Sequence, residues 1–135
     1  MQHADPRKLL PLLAMLLPSF FTCGESPAGE AVDYAREIQP ILADHCFECH
    51  GQDPSSREAD LRLDKRDVAV ASINGDPAIV PGDAAQSILV DRIESDDPDL
   101  RMPPPEHGDP LTEDERTLLR RWIDQGAEYQ EHWAF

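Results

Sequence analysis

Residues 46–50 read Cys-Phe-Glu-Cys-His, and three of these five side chains can do chemistry at a spacing that joins them in one task. Two thiols and an imidazole in the order C-x-x-C-H form the pattern by which a c-type haem is fixed to a chain. Cys46 and Cys49 are close enough to make thioethers with the two vinyl groups of a single porphyrin, and His50 is then held under the iron as proximal ligand. A C-x-x-C by itself also serves thiol–disulfide exchange or half of a zinc site. The first use normally follows a strand of a βαβ unit, and no such strand precedes Cys46. The second needs four ligands, and no second cysteine pair exists; the remaining cysteine, Cys23, stands in an apolar N-terminal segment. Haem attachment is the reading that gives all three residues work.

A bound iron has a sixth position to fill. The methionines are Met1, Met15 and Met102, and the first two fall in a segment expected to be removed. Met102 is followed by Pro103-Pro104-Pro105, a run that forbids helix and favours a stiff, extended loop. A stiff loop loses little chain entropy when its thioether coordinates, so Met102 is the expected distal ligand, against the blander role of filling a gap in the core. Among the histidines, His107 shares the Met102 loop and is the rival ligand. His45 is tied to the proximal side by its place before Cys46, His132 lies near the C-terminus, and His3 leaves with the N-terminal segment. His/Met ligation raises the potential relative to bis-histidine and leaves no vacant site, which favours electron transfer. The alternative is a gas-sensing or ligand-binding module with a displaceable distal ligand. Peroxidase-like catalysis is a poorer third reading, with His107 its one obvious acid–base group. Arg62, Arg66, Arg92 and Arg101 are each candidates to pair with a haem propionate, although a solvated arginine is the commoner case.

Short helices must position these groups. Residues 33–45 read as a helix leading into the cysteines, with Tyr34, Ile38, Ile41 and Leu42 on one face and Pro40 predicting a kink or a helix start. Residues 51–60 read as a polar loop, Leu61–Asp64 as a short ordered piece, Asn74-Gly75-Asp76-Pro77 as a turn, and Ala78–Gly82 as an apolar loop near the haem. A second helix is expected from an N-cap at Asp83, with Gln86 three residues on, to about Ile93, directing Ala85, Ile88, Leu89 and Ile93 inward. The last helix has Thr112 and Glu115 as a capping box, Leu118, Leu119, Trp122 and Ile123 as its apolar face, and Gly126 as its stop. Trp122 is either core or part of the haem crevice. Three to four short helices make a thin core, which a buried macrocycle would complete.

The 135 residues suit one domain after removal of a signal, with residues 1–28 as signal peptide and 29–135 as the haem domain. Arg7 and Lys8 precede an apolar run from Leu9 to Phe21 that is too short and proline-broken for a membrane span, and cleavage is expected after Ala28 or Ala31. Cys23 offers a lipid-attachment alternative, although Phe20-Phe21-Thr22 is a poor match to such a signal. Both schemes place the mature chain outside the cytoplasm, periplasmic or membrane-tethered. The net charge is 12 − 27 = −15, which opposes nucleic acid and anionic membrane and favours a redox partner with a basic docking surface.

Taken in order, Ile41-Leu42, Cys46–Gly51, Leu61-Arg62-Leu63-Asp64, Val80-Pro81-Gly82-Asp83, Arg101-Met102-Pro103-Pro104, Arg121–Ala127 and His132-Trp133-Ala134-Phe135 resemble the planctomycete-type cytochrome c domain over roughly residues 33–135. The resemblance implies an all-α, class I cytochrome c-like fold with one covalent haem, His50 proximal and Met102 distal, and with the first and last helices crossing. In that family the His-Trp-Ala-Phe motif usually leads into larger domains. A free-standing carrier and the N-terminal part of a longer oxidoreductase are therefore both expected forms.

Overall fold

A computed structural model describes residues 29–72 and 75–130. The signal segment with Cys23 and Met15, Asn74 of the turn, and the terminal His132-Trp133-Ala134-Phe135 lie outside the described residues.

Every regular element among the described residues is helical, so the fold is all-α. The first helical element is capped by Asp33, whose Oδ1 accepts the Arg36 N–H (3.1 Å) while its own N–H donates to the Glu37 carboxylate (2.8 Å). A wide π-helical turn, Tyr34–Ile38, runs directly into α1, Gln39–His45. Pro40 explains this join. It has no N–H, and its ring would press on the carbonyl four residues back; the wider turn sends the Gln39 N–H to the Tyr34 oxygen instead. The helix starts at the proline as expected, without breaking from the turn before it. Tyr34, Ile38, Ile41 and Leu42 are all buried, so the predicted apolar face is the one that packs.

After α1 come α2 (Phe47–His50), α3 (Arg66–Ala69), a single 3₁₀ turn (Ala84–Gln86), α4 (Ile88–Glu94) and α5 (Glu113–Asp124). The elements are shorter and more divided than three or four helices. The expected helix from Asp83 to Ile93 is in fact two pieces. Asp83 does cap, accepting the Gln86 N–H on Oδ1 (3.2 Å), but only for one turn. Ser87 then turns extended, because its fully buried hydroxyl donates to the Asp83 carbonyl and accepts the Val80 N–H, both at 2.9 Å. That local pairing competes with a continuing helix. It also rotates the turn, so Ala84 faces the core and Ala85 is exposed, opposite to the expected register.

The last helix follows the sequence closely. Thr112 Oγ1 accepts the Glu115 N–H (3.3 Å) and the Glu115 carboxylate accepts the Thr112 N–H (2.8 Å), a complete capping box. Gly126, at φ +112°, ends it: its N–H reaches the Ile123 carbonyl (2.9 Å) and the Ala127 N–H reaches Trp122 (3.0 Å), both bonds of a Schellman cap. The first and last elements pack through aromatic rings. Tyr34 lies 5.7 Å from Trp122 and 4.6 Å from Tyr129, and Trp122 and Tyr129 are 5.2 Å apart, centroid to centroid. Trp122 is therefore core at this crossing. Its Nε1 donates to the Glu128 carbonyl (3.0 Å).

The cap also gives the fold an acid limit. Hydrogen bonding from the Thr112 backbone, aided by the Thr112 hydroxyl and by His45, holds the Glu115 carboxyl below its ordinary value against the opposing effect of burial. A depressed carboxyl contributes stability that is full above the unfolded value of about 4.3 and is lost as pH falls through the folded one. In denaturant titrations, Thr112→Ala should cost about 1 kcal/mol at pH 7. Glu115→Gln should lose stability at pH 7 and show a shallower further decline below pH 4 than the wild type.

Candidate functional site

The helical turn α2 begins where α1 ends. The Cys46 N–H still bonds back to the Leu42 carbonyl (2.9 Å), and the Cys46 carbonyl then accepts from Cys49 (3.2 Å) and His50 (2.8 Å). Residues at i, i+3 and i+4 of a helical turn share one face, so Cys46, Cys49 and His50 are presented together. Four residues cannot sustain a helix alone. The loop that follows supplies what is missing. Ser56 Oγ donates to the Glu48 carbonyl (2.8 Å), Glu58 N–H to Cys49 (2.8 Å), Leu63 N–H to His50 (2.8 Å) and Arg57 Nε to Gly51 (3.1 Å). Residues 51–63 are thus a cradle for the C-terminal carbonyls of α2, where the sequence had shown only a polar loop. Gly51 is fixed by contact: a Cβ there would lie 2.2 Å from the Phe47 carbonyl oxygen.

The Met102 segment is held by α4. The Met102 N–H donates to the Arg92 carbonyl (3.0 Å), and Arg92 Nη1 donates to the Leu100 carbonyl (3.2 Å). Pro103 is buried behind a cis Met102–Pro103 bond, and Arg101 Nε bonds to the Pro103 carbonyl (3.3 Å). A further turn, closed by His107 N–H to the Pro104 carbonyl (2.9 Å), brings His107 back.

One cleft of about 290 Å³ gathers these parts. Cys46, Cys49, His50 and Met102 all line it, with Leu61, Leu63, Ala78, Ile88, Leu89 and Ile93 as apolar wall. Of the apolar loop Ala78–Gly82 expected near the site, only Ala78 lines the cleft, and its neighbour Ile79 goes to the core. His107 lines the cleft as well, so both candidate distal ligands reach it. His45 lines it too, and its Nε2 sits 3.4 Å from the Glu115 carboxylate, linking the end of α1 to the start of α5. Of the four arginines considered, only Arg92 is on the cleft.

The chemistry of these groups fits an apolar macrocycle held by sulfur and nitrogen. His50 Nδ1 is buried without a hydrogen bond of good geometry, the Glu58 backbone standing close enough to stabilise its proton. Burial lowers the His50 pKa, with the Glu58 backbone and carboxylate opposing, which favours the neutral imidazole that binds metal. Burial first, and Cys49 second, push the Cys46 thiol up to about 12; the Cys49 thiol is raised also, by burial and then by Glu48 and Glu58. A redox dithiol or a zinc site wants the opposite shift, toward thiolate. No group of three or more His, Cys, Asp or Glu side chains suited to a metal ion occurs among the described residues.

Residues 46–106 match the family model described as planctomycete cytochrome C. Over that stretch the chain is similar to the planctomycete-type cytochromes c. The matched segment begins at Cys46 and closes just past the prolines that follow Met102, so it spans the cleft's two chemical segments. The cytochrome c family implies a haem cofactor and an electron-transfer role. Neither the curated proteins nor the solved structures compared with the chain gave a match. No described helix is long and apolar enough to cross a membrane.

Tyr129 is the supporting residue that the sequence pattern did not single out. Its hydroxyl donates to the Leu63 carbonyl (2.9 Å), while the Leu63 N–H holds His50, so the aromatic crossing is tied to the turn of the cytochrome motif. It follows a helix stop and belongs to no periodic face, which leaves no local signal to find it by. Gly51→Ala should force Phe47 and the α2 turn apart, costing about 2 kcal/mol or more, as read by denaturant titration. Tyr129→Phe should cost about 1 kcal/mol with the haem retained.

Proposed function

We propose that the chain is a monohaem electron carrier outside the cytoplasm, its haem attached through Cys46 and Cys49 with His50 as proximal and Met102 as distal ligand. The observation that carries this reading is the single cleft lined by Cys46, Cys49, His50 and Met102 together. Haem c bound there supplies a one-electron iron couple.

The chain's own groups do the rest. Cys46 and Cys49 anchor the macrocycle on one helical face. His50, kept neutral by its burial, offers a ring nitrogen from a turn whose carbonyls are already satisfied, so the imidazole needs little rearrangement when charge changes. Met102 offers a thioether from a loop held at its own N–H and at Leu100. The aliphatic lining excludes water and, with methionine ligation, favours a raised potential. The charge of −15 suits a redox partner with a basic surface, and export by residues 1–28, with a tether if Cys23 is lipidated, places the exchange in the periplasm or at its membrane. As the N-terminal part of a longer protein, the same unit would serve a larger oxidoreductase.

His107 on the cleft wall favours one second reading, a ligand-binding module in which the distal group is displaced. Intact mass after thiol alkylation should show one haem and no alkylated Cys46 or Cys49. Met102→Ala should lower the midpoint potential and let the reduced protein bind carbon monoxide, which the wild type should resist. An unchanged potential in Met102→Ala, with the loss appearing in His107→Ala, would move the distal ligand to His107. Carbon monoxide binding by the reduced wild type would favour the ligand-binding module.

A further inference from the structure

Arg92 occupies an unusual position in a chain with 27 acidic against 12 basic residues. It is the one arginine on the cleft, and it makes no ion pair among the described residues. The other arginines near enough in sequence to be considered are spent elsewhere: Arg62 on Asp64 (2.5 Å), Arg66 on the carbonyls of Ala127 (3.0 Å) and Gly126 (3.2 Å), and Arg101 on Pro103 (3.3 Å). Arg92 uses Nη1 on the Leu100 carbonyl (3.2 Å), which leaves most of its five N–H groups for another acceptor. The two carboxylates on the cleft, Asp44 and Glu48, are exposed and do not pair with it. Its carbonyl meanwhile seats the Met102 N–H (3.0 Å). One residue therefore touches the Met102 loop twice and faces the cleft with an unpaired positive charge.

We propose that Arg92 is a positioning residue of the haem cleft, holding the Met102 loop through Leu100 while its free N–H groups take a propionate carboxylate of the haem. The inference rests on the haem reading above. A guanidinium is always charged and presents a planar fork that matches a carboxylate, so the pair would survive the burial and the pH range in which a carrier works. Its charge also acts on the iron. A fixed cation beside the cofactor offsets the propionate's negative charge and favours the reduced, less positive state. The backbone bond to Met102 does not depend on the side chain, so substitution at 92 removes the guanidinium's part and leaves the loop its other anchor.

The test is made on the full-length, haem-loaded chain. Wild type, Arg92→Gln, Arg92→Lys and the remote control Arg116→Gln are compared by midpoint potential and by the long-wavelength sulfur-to-iron absorption of the oxidised form. Arg92→Gln should move the equilibrium with a fixed redox partner about tenfold toward the oxidised protein, which is about 59 mV for one electron, and should weaken the sulfur-to-iron absorption. Arg92→Lys should restore most of the potential, and Arg116→Gln should leave it unchanged. Equal potentials in Arg92→Gln and wild type would overturn the proposal. So would an Arg92→Lys potential as low as that of Arg92→Gln, because packing and not charge would then be the cause. Where Arg92→Gln takes up no haem, resonance Raman of the wild type and Arg92→Lys decides: a shifted propionate bending mode supports the pairing, and an unmoved one overturns it. A wild type without haem fails the underlying reading before any variant is compared.

Discussion

A helical turn of four residues is far below the length at which a helix holds itself together, yet Phe47–His50 and the preceding Cys46 carry every group of the attachment motif. The fold answers this by giving the carbonyls of residues 48 to 51 donors from the chain that follows, namely Ser56, Glu58, Leu63 and Arg57. Each such bond has a net worth of only about 1 kcal/mol, but leaving a buried carbonyl unmet costs more than making the bond gains. The loop and the turn therefore order one another. Gly51 lets the chain reverse tightly enough against Phe47 for this to happen.

From that turn, connections run outward. Leu63 passes the constraint to Tyr129 and so to the aromatic crossing of the first turn and α5. His45 passes it to the capping box of α5. Gly82 N–H and Ala84 N–H, bonded to the Ile123 carbonyl and the Asp124 carboxylate (both 2.8 Å), fasten the segment before α4 to the end of the same helix. α4 then carries the Met102 loop, and the half-exposed Arg120–Glu94 pair (2.9 Å) adds a weaker link between α4 and α5. In this way α5 fixes the relation between the motif that carries His50 and the loop that carries Met102.

What the sequence showed best was what depends on near neighbours. The capping box of Thr112 and Glu115, the Gly126 stop and the buried stripe of Tyr34, Ile38, Ile41 and Leu42 follow from spacings of three or four residues. The C-x-x-C-H motif is equally local, because covalent chemistry imposes its spacing. Long-range pairing was not legible. Nothing around Ser56 or Arg57 marks them as donors to α2, since their role exists only once the loop has turned back. Ser87 read as one more helical position, and only the buried partners Val80 and Asp83 make its hydroxyl a helix breaker. Trp122 was ambiguous for a similar reason: its helix face was clear, but which neighbour would cover that face was not. The arginines were four equal candidates in sequence, and only their tertiary partners separate Arg92 from the rest.

The account's central claim is that His50 and Met102 hold one covalently attached haem. The most direct measurement is the absorption spectrum, oxidised and reduced, of the full-length chain exported alongside a c-type haem maturation system. The account predicts sharp reduced bands of a c-type haem and, in the oxidised form, the weak long-wavelength band of a methionine sulfur on iron. A covalent haem without that band would contradict Met102 as ligand, and a protein without haem would return Cys46 and Cys49 to thiol or zinc chemistry.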